Sequence, residues 1–226
     1  MGYCVKFSRC LKISPPLSKE QVAYLQRFSE IRHVYHHSHF LETNSKVHDP
    51  LREAVGLPVG KNGAYFVGYF EHEGLSEAKA QGIEIDSYYQ DPESIPSVQN
   101  PNHPSPLLPG LFCGWTVSDN GRKLIWDGRE KFRYFSEWLI FLQNHFFKPW
   151  NKNLNGYICW SGEDKKDKGF LVVNADQSIS TIDRYTPEGD AFIIEQKRIQ
   201  EIKKEKKHLQ EVLPESSRLS SRKMKL

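Results

Sequence analysis

The sequence predicts an α+β protein built on an antiparallel sheet that carries two helices on one face. Three observations predict it. A period-two alternation opens the chain, a helix-capping signal follows it directly, and after residue 109 two strand–turn–strand signals flank a second helical period.

Each element follows from its residues. Tyr3, Val5, Phe7, Leu11 and Ile13 fall on one side of the opening run, and Cys4, Lys6, Ser8, Cys10 and Lys12 on the other. Arg9 is the only break, so the run reads as a half-buried strand. Pro15-Pro16 ends it, because proline has no N–H to give a ladder. Ser18 with Gln21 three residues later makes a capping box, and Val22, Leu25, Phe28 and Ile31 continue at helical spacing. From Arg32 to Gly110 regular patterning is lost. A histidine-rich segment leads to Asp49-Pro50, a helix start, and "GAYFVGYF" (63–70) reads as a strand. The stretch 91–110 holds six prolines and almost no charge, and is expected to be extended or disordered around 91–109.

After Gly110 order returns. "LFCGWTVS" and "RKLIWDG" form a hairpin across Asp119-Asn120-Gly121. Asp127 then reads as the N-cap of a helix, with Glu130 completing a capping box. Phe132, Phe135, Trp138, Leu139, Leu142 and Phe146 carry the helical period until Pro149. "GYICWSGE" and "GFLVVNADQSIS" make a second hairpin, and Thr186-Pro187-Glu188 starts a last helix in which Phe192, Ile199, Ile202, Leu209 and Leu213 space out as a heptad seam. The order strand–helix–insert–strand–strand–helix–strand–strand matches a ferredoxin-like sandwich. The expected organisation is one domain over 1–186 with an insert at 33–110, a charged helix at 187–213 and a disordered tail at 214–226.

Composition narrows the function classes. A hydrophobic share of 38% with a charged share of 26% fits a soluble globular chain, and no run is apolar for long enough to cross a bilayer. Four widely spaced cysteines without a CxxC pair and without an export signal point to free thiols in the cytoplasm. A net charge of +3 is small for a nucleic-acid binder. From Asp190 onward, however, ten Lys/Arg stand against six Asp/Glu, a net +4, so nucleic acid would be met by the last helix if at all. The same helix is the candidate for self-association as a homodimer.

The segments "PGLFCGW" (109–115), "IWDGREKF" (125–132), "EWLIFL" (137–142), "LNG" (154–156) and "GEDKKD" (162–167) resemble those of a family of bacterial and phage-borne proteins. So do "ISPPLSKEQVAYLQRFSEIR" (13–32) and "GAYFVG" (63–68). The resemblance spans most of residues 1–180 and implies a phage- or mobile-element-associated group. No activity is established for that family, so no catalytic residue carries over. The His- and Pro-rich insert and the C-terminal helix depart from its pattern.

The residues themselves offer few constellations. His33, His36, His37, His39 and His48 cluster, and a helix would set His33 and His37 on one face, so a metal held by His33, His37 and His39 is the alternative to a solvated or partner-facing patch. A histidine could also serve as a general base, but no nucleophile is evident beside it. Five tryptophans between 115 and 160 can stack bases or simply pack. No phosphate loop, hydrolase elbow, zincin motif or dinucleotide fingerprint is present. The reading is therefore a non-enzymatic binding protein without a cofactor, recognising a partner protein or a small polar ligand. Its expected surface lies where "RHVYHH", "GAYFVG" and "GYICWSGE" converge, with Arg32, His33, His36, His37, Tyr65, Trp115 and Glu163 as ligand-binding candidates. A metal-dependent or hydrolytic enzyme using the 33–39 histidines is the rival reading.

Overall fold

The computed structural model describes residues 3–70 and 97–212. In it the alternating N-terminal run divides into β1 (Val5–Ser8) and β2 (Leu11–Ser14) at Arg9, whose φ of 70° is left-handed. Its partners divide likewise, β9 (Asn153–Asn155) and β10 (Tyr157–Gly162) parting at Gly156 with φ 111°. Ser8 pairs with Cys159 and Lys12 with Asn155, four residues on along one strand and four back along the other. One register therefore runs through both halves, and the two long strands form a single ribbon bent at one left-handed residue in each strand. The Arg9 guanidinium lies 4.5 Å from the centre of the Tyr157 ring, a cation–π contact that holds the bend.

Each half of the ribbon belongs to a different sheet. One sheet runs β1-β10-β11-β12, with β11 at Lys168–Val173 and β12 at Ile179–Asp183. The other runs β7-β8-β2-β9, with β7 at Trp115–Val117 and β8 at Lys123–Trp126. The α+β class and the antiparallel pairing are as expected, but the strands lie in two four-stranded sheets instead of one ferredoxin-like sheet. The cause is the bend: a left-handed residue in each partner turns the ribbon where an alternation reading continues it straight.

Helix α1 (Lys19–Glu30) starts at the expected capping box, with Gln21 N donating to Ser18 Oγ at 3.2 Å and Ser18 N donating to Gln21 Oε1 at 3.0 Å. It buries Val22, Tyr24, Leu25 and Phe28. The second core helix, α4 (Phe135–Leu142), runs on into a π-helical turn over Gln143–Phe147 and buries Trp138, Leu139, Phe141, Leu142, Phe146 and Phe147. The two helices meet through rings, Phe28 lying between Tyr24, His33, Trp138, Phe141 and Phe146 at centroid distances of 4.2–6.1 Å.

The insert is more ordered than its composition predicts. It holds β3 (Tyr35–His36) paired with β6 (Val98–Asn100), α2 (Ser38–Thr43), β4 (Val47–His48) paired with β5 (Tyr69–Phe70), α3 (Pro50–Ala54) and a 3-10 turn at Lys61–Gly63. The strand expected over 63–70 is only Tyr69–Phe70, because a further turn, closed by the Phe66 N–H on the Gly63 carbonyl, follows the 3-10 turn while Ala64 and Val67 enter the main core. Of the stretch expected to be disordered, 91–96 lies outside the described residues. The remainder is fixed by burial of Ser97, Ser105 and Leu108.

Helix α5 (Pro187–Val212) packs Phe192 against Tyr157 and Phe170, at 5.0 and 4.8 Å between ring centres. From Gln200 to Leu209 each residue is exposed, Ile202 and Leu209 among them. Leu213 and the tail 214–226 lie outside the described residues. No described helix is long and apolar enough to cross a membrane.

Candidate ligand-binding pocket

The stretch "WDGREKFRY" does not start a helix. The Asp127 carboxylate instead accepts the Arg129 N–H at 2.8 Å, which closes a turn over Gly128, and α4 begins only at Phe135. Gly128, Lys131 and Tyr134 all have left-handed φ, at 86°, 59° and 55°. The expected capping box of Asp127 and Glu130 is thus corrected to a wide loop over 127–134. Its physical reason is Phe132, which dives into the core against Trp115 and Phe7, at 5.3 and 5.9 Å. Gly114 makes room for it, since a Cβ there would sit 2.6 Å from the Phe132 ring. Burial raises the Asp127 carboxyl above its ordinary range, offset in part by the Arg129 N–H and guanidinium. Asp127→Ala should cost about 1 kcal/mol in urea unfolding, and Asp127→Asn, which keeps the turn acceptor, clearly less; equal losses would mean that the turn is not what Asp127 holds.

Between this loop and the segment 102–112 lies a cavity of about 810 Å³. Prolines 104 and 109, Leu111 and Phe112 form apolar walls, Arg129, Lys131 and Arg133 bring three cations against the single acid Glu130, and Trp138 forms part of the floor. Arg129 is fixed from behind: its Nη2 donates to the Ser29 carbonyl at 3.0 Å, its Nε lies 3.4 Å from Asp127 Oδ2, and its guanidinium sits 5.0 Å from the Phe112 ring centre. Two buried donors at this cavity lack a hydrogen-bond partner, Arg129 Nη1 and Trp138 Nε1. A Cβ at Gly110 would lie 3.6 Å from that indole nitrogen and 3.5 Å from Tyr134, so the absence of a side chain at 110 keeps the space over it open.

Of the expected site residues, Arg32 stands at this pocket's edge, with Nη2 donating to Oδ1 of the lining residue Asn102 at 3.2 Å. His33 lies behind the floor. It packs 5.4 Å from Trp138 between ring centres and donates from Nε2 to the Phe28 carbonyl at 2.8 Å; burial pushes its pKa down to about 3. His36 is buried too, 2.8 Å from Ser97 Oγ, with its pKa pushed down to about 4 by the same cause. His37, beside Gln99, and His39 are exposed.

Because β3 and its approach are extended, His33 and His37 do not share a helical face. Among the described residues no group of three or more His, Cys, Asp or Glu is placed to hold a metal, and the proposed set His33, His37 and His39 is not brought together. Tyr65 bonds through its hydroxyl to His145 Nδ1 at 2.7 Å and packs on Phe141. Trp115 is core, donating to the Phe135 carbonyl at 2.7 Å. Glu163 accepts the Cys4 N–H at 2.9 Å near the tip of the β10–β11 hairpin. Of the three stretches expected to converge, "RHVYHH" and "GAYFVG" do meet, His36 lying 5.3 Å from Phe66 between ring centres, whereas "GYICWSGE" is held as β10 between β1 and β11. The residues missed are Arg129, Lys131, Arg133, Tyr134 and Trp138. Their signal is the basic side chain at every second position from 129 to 133, which a capping reading assigns to solvent.

No known protein family, curated protein or solved structure matches the chain.

Proposed function

We propose that the chain is a non-enzymatic binding protein of the cytoplasm, within the phage-associated group that its motifs resemble, and that it holds a small anionic ligand in the pocket beside the 127–134 loop. One observation carries this reading. Trp138, fully buried, has an indole N–H with no acceptor at the floor of a cavity rimmed by three cations. A buried donor left unpaired costs about 1–3 kcal/mol, and a ligand acceptor would recover it. A cavity of about 810 Å³ with mostly apolar walls and a few convergent polar groups has the size and character of a small-molecule site. Of the segments on which the resemblance rests, "PGLFCGW", "IWDGREKF" and "EWLIFL" all contribute lining residues.

The test is a thermal-shift screen of the purified chain against carboxylates and phosphates, repeated on the double variant Lys131→Ala/Arg133→Ala. A ligand of this pocket should raise the melting temperature of the parent, bind the variant at least tenfold more weakly and lose affinity as salt rises. Equal stabilisation of parent and variant would place binding elsewhere.

A further inference from the structure

The charges and walls of the pocket say more about what it takes. Arg129 is already committed to Asp127 and the Ser29 carbonyl, and only Nη1 remains for a ligand. Neither Lys131 nor Arg133 has an ion-pair partner among the described residues, and both line the cavity. Two free cations beside one prepositioned N–H suit an anion with several oxygens and more than one charge; a single carboxylate would leave one cation idle. The loop also meets this side of the fold with the start of α4, which has no side-chain cap at Tyr134.

An inorganic anion alone would fill little of about 810 Å³. The rest is bounded by flat, apolar surface: Tyr134, which is 56% exposed, Phe112 and the two prolines. Such surfaces accept the face of a planar ring. The Trp138 N–H then asks for an acceptor on that ring. A sugar phosphate offers no flat face, and an unsubstituted aromatic acid offers no ring acceptor. Resting on the reading of this cavity as a ligand site, we infer that its ligand is a nucleoside phosphate, with the base against Tyr134, a base acceptor at Trp138 Nε1 and the phosphate between Lys131 and Arg133.

The experiment follows the indole N–H resonances of the full chain by 1H–15N NMR, with Trp138 assigned from Trp138→Phe. The titrants are the four ribonucleoside 5′-monophosphates and triphosphates, adenosine, inorganic phosphate, benzoate, an eight-nucleotide single strand and a general fragment set. The expected result is that at least one mononucleotide shifts the Trp138 resonance and binds tenfold or more tightly than adenosine. Lys131→Ala/Arg133→Ala should erase that advantage. Gly110→Ala, whose Cβ meets only ordinary contacts, should weaken the nucleotide while the remaining indole resonances stay in place. Benzoate or fragments shifting Trp138 while no nucleotide does would overturn the nucleotide and leave the pocket standing. An eight-nucleotide strand binding tenfold more tightly than every mononucleotide would overturn it in favour of a nucleic-acid site. Silence of Trp138 toward every titrant would sink both the ligand class and the pocket.

Discussion

Lowering the pH from 7 to 4 should remove about 4 kcal/mol of folding stability, and three buried groups set the size of that loss. His33 and His36 are held neutral, with pKa values pushed down by burial to about 3 and about 4. Their surroundings explain this. His33 meets the Phe28 carbonyl, Trp138 and the field of Arg129, and His36 meets Ser97 Oγ and the edge of Phe66. In the unfolded chain both titrate near 6.5, so unfolding takes up two protons between about pH 6 and 4 and stability falls as pH falls. Asp49 works the other way. It is buried, bonded to Arg52 at 2.8 Å and to the Val67 N–H at 3.2 Å, yet desolvation raises its pKa to about 6. A carboxyl with a raised folded pKa is most favourable when protonated, so its contribution is full below about pH 4 and lost as pH rises through 6.

Near pH 5 the folded state therefore lacks two imidazole protons and holds one extra carboxyl proton, a net difference of about one. The slope of stability should be about 1.4 kcal/mol per pH unit there. Asp49→Asn removes the more deeply buried of the two raised carboxyls, Asp127 being the other, and should bring it to about twice that, whatever the variant's absolute stability. Urea unfolding followed by circular dichroism at half-unit pH steps reads both slopes. A flat profile from pH 6 to 4 in the parent would mean that the two histidines are not buried neutral.

What the sequence made legible divides by range. The Ser18–Gln21 cap was readable because donor, acceptor and backbone all lie within four residues. The bend at Arg9 left a local trace, the one break in the alternation, but its consequence needed Gly156 on a partner some 150 residues away, and no local pattern carries that. Asp127 and Glu130 match the spacing of a capping box equally well in a helix or in a loop. What decides between them is Phe132, drawn into a slot between Phe7 and Trp115 that Gly114 leaves open. The histidines misled for a related reason. A cluster in sequence looks like a cluster in space, but along extended chain the neighbours diverge, His33 and His36 into separate buried places and His37 and His39 to solvent. The pocket was half visible, its basic loop in plain sight. Its other wall, 102–112, came from the stretch whose prolines read as disorder, although prolines also make rigid walls once a core anchors them.

Phe28→Ala should be the most damaging single substitution in the described core, lowering stability by about 3–5 kcal/mol. Phe28 is fully buried and meets five rings, from His33 at 4.2 Å to Phe141 at 6.1 Å. It is thus the piece that joins α1 to α4. Truncation leaves a cavity walled by rings whose positions are fixed by one another, so collapse can recover little of the loss. Phe28→Leu, which keeps most of the volume, should cost about half as much or less.

The substitution carries a second signature that a general loss of packing would not. The Phe28 carbonyl remains, so His33 keeps its acceptor, but the ring that shields the imidazole is gone. Water reaching that space would lift the His33 pKa toward its ordinary value and reduce the slope of stability between pH 6 and 4 by up to one proton, about 1.4 kcal/mol per pH unit. Denaturant midpoints at pH 7 and pH 5 for parent, Phe28→Leu and Phe28→Ala separate the two effects. A large loss at pH 7 with an unchanged pH slope would show the histidine to be shielded by Trp138 alone.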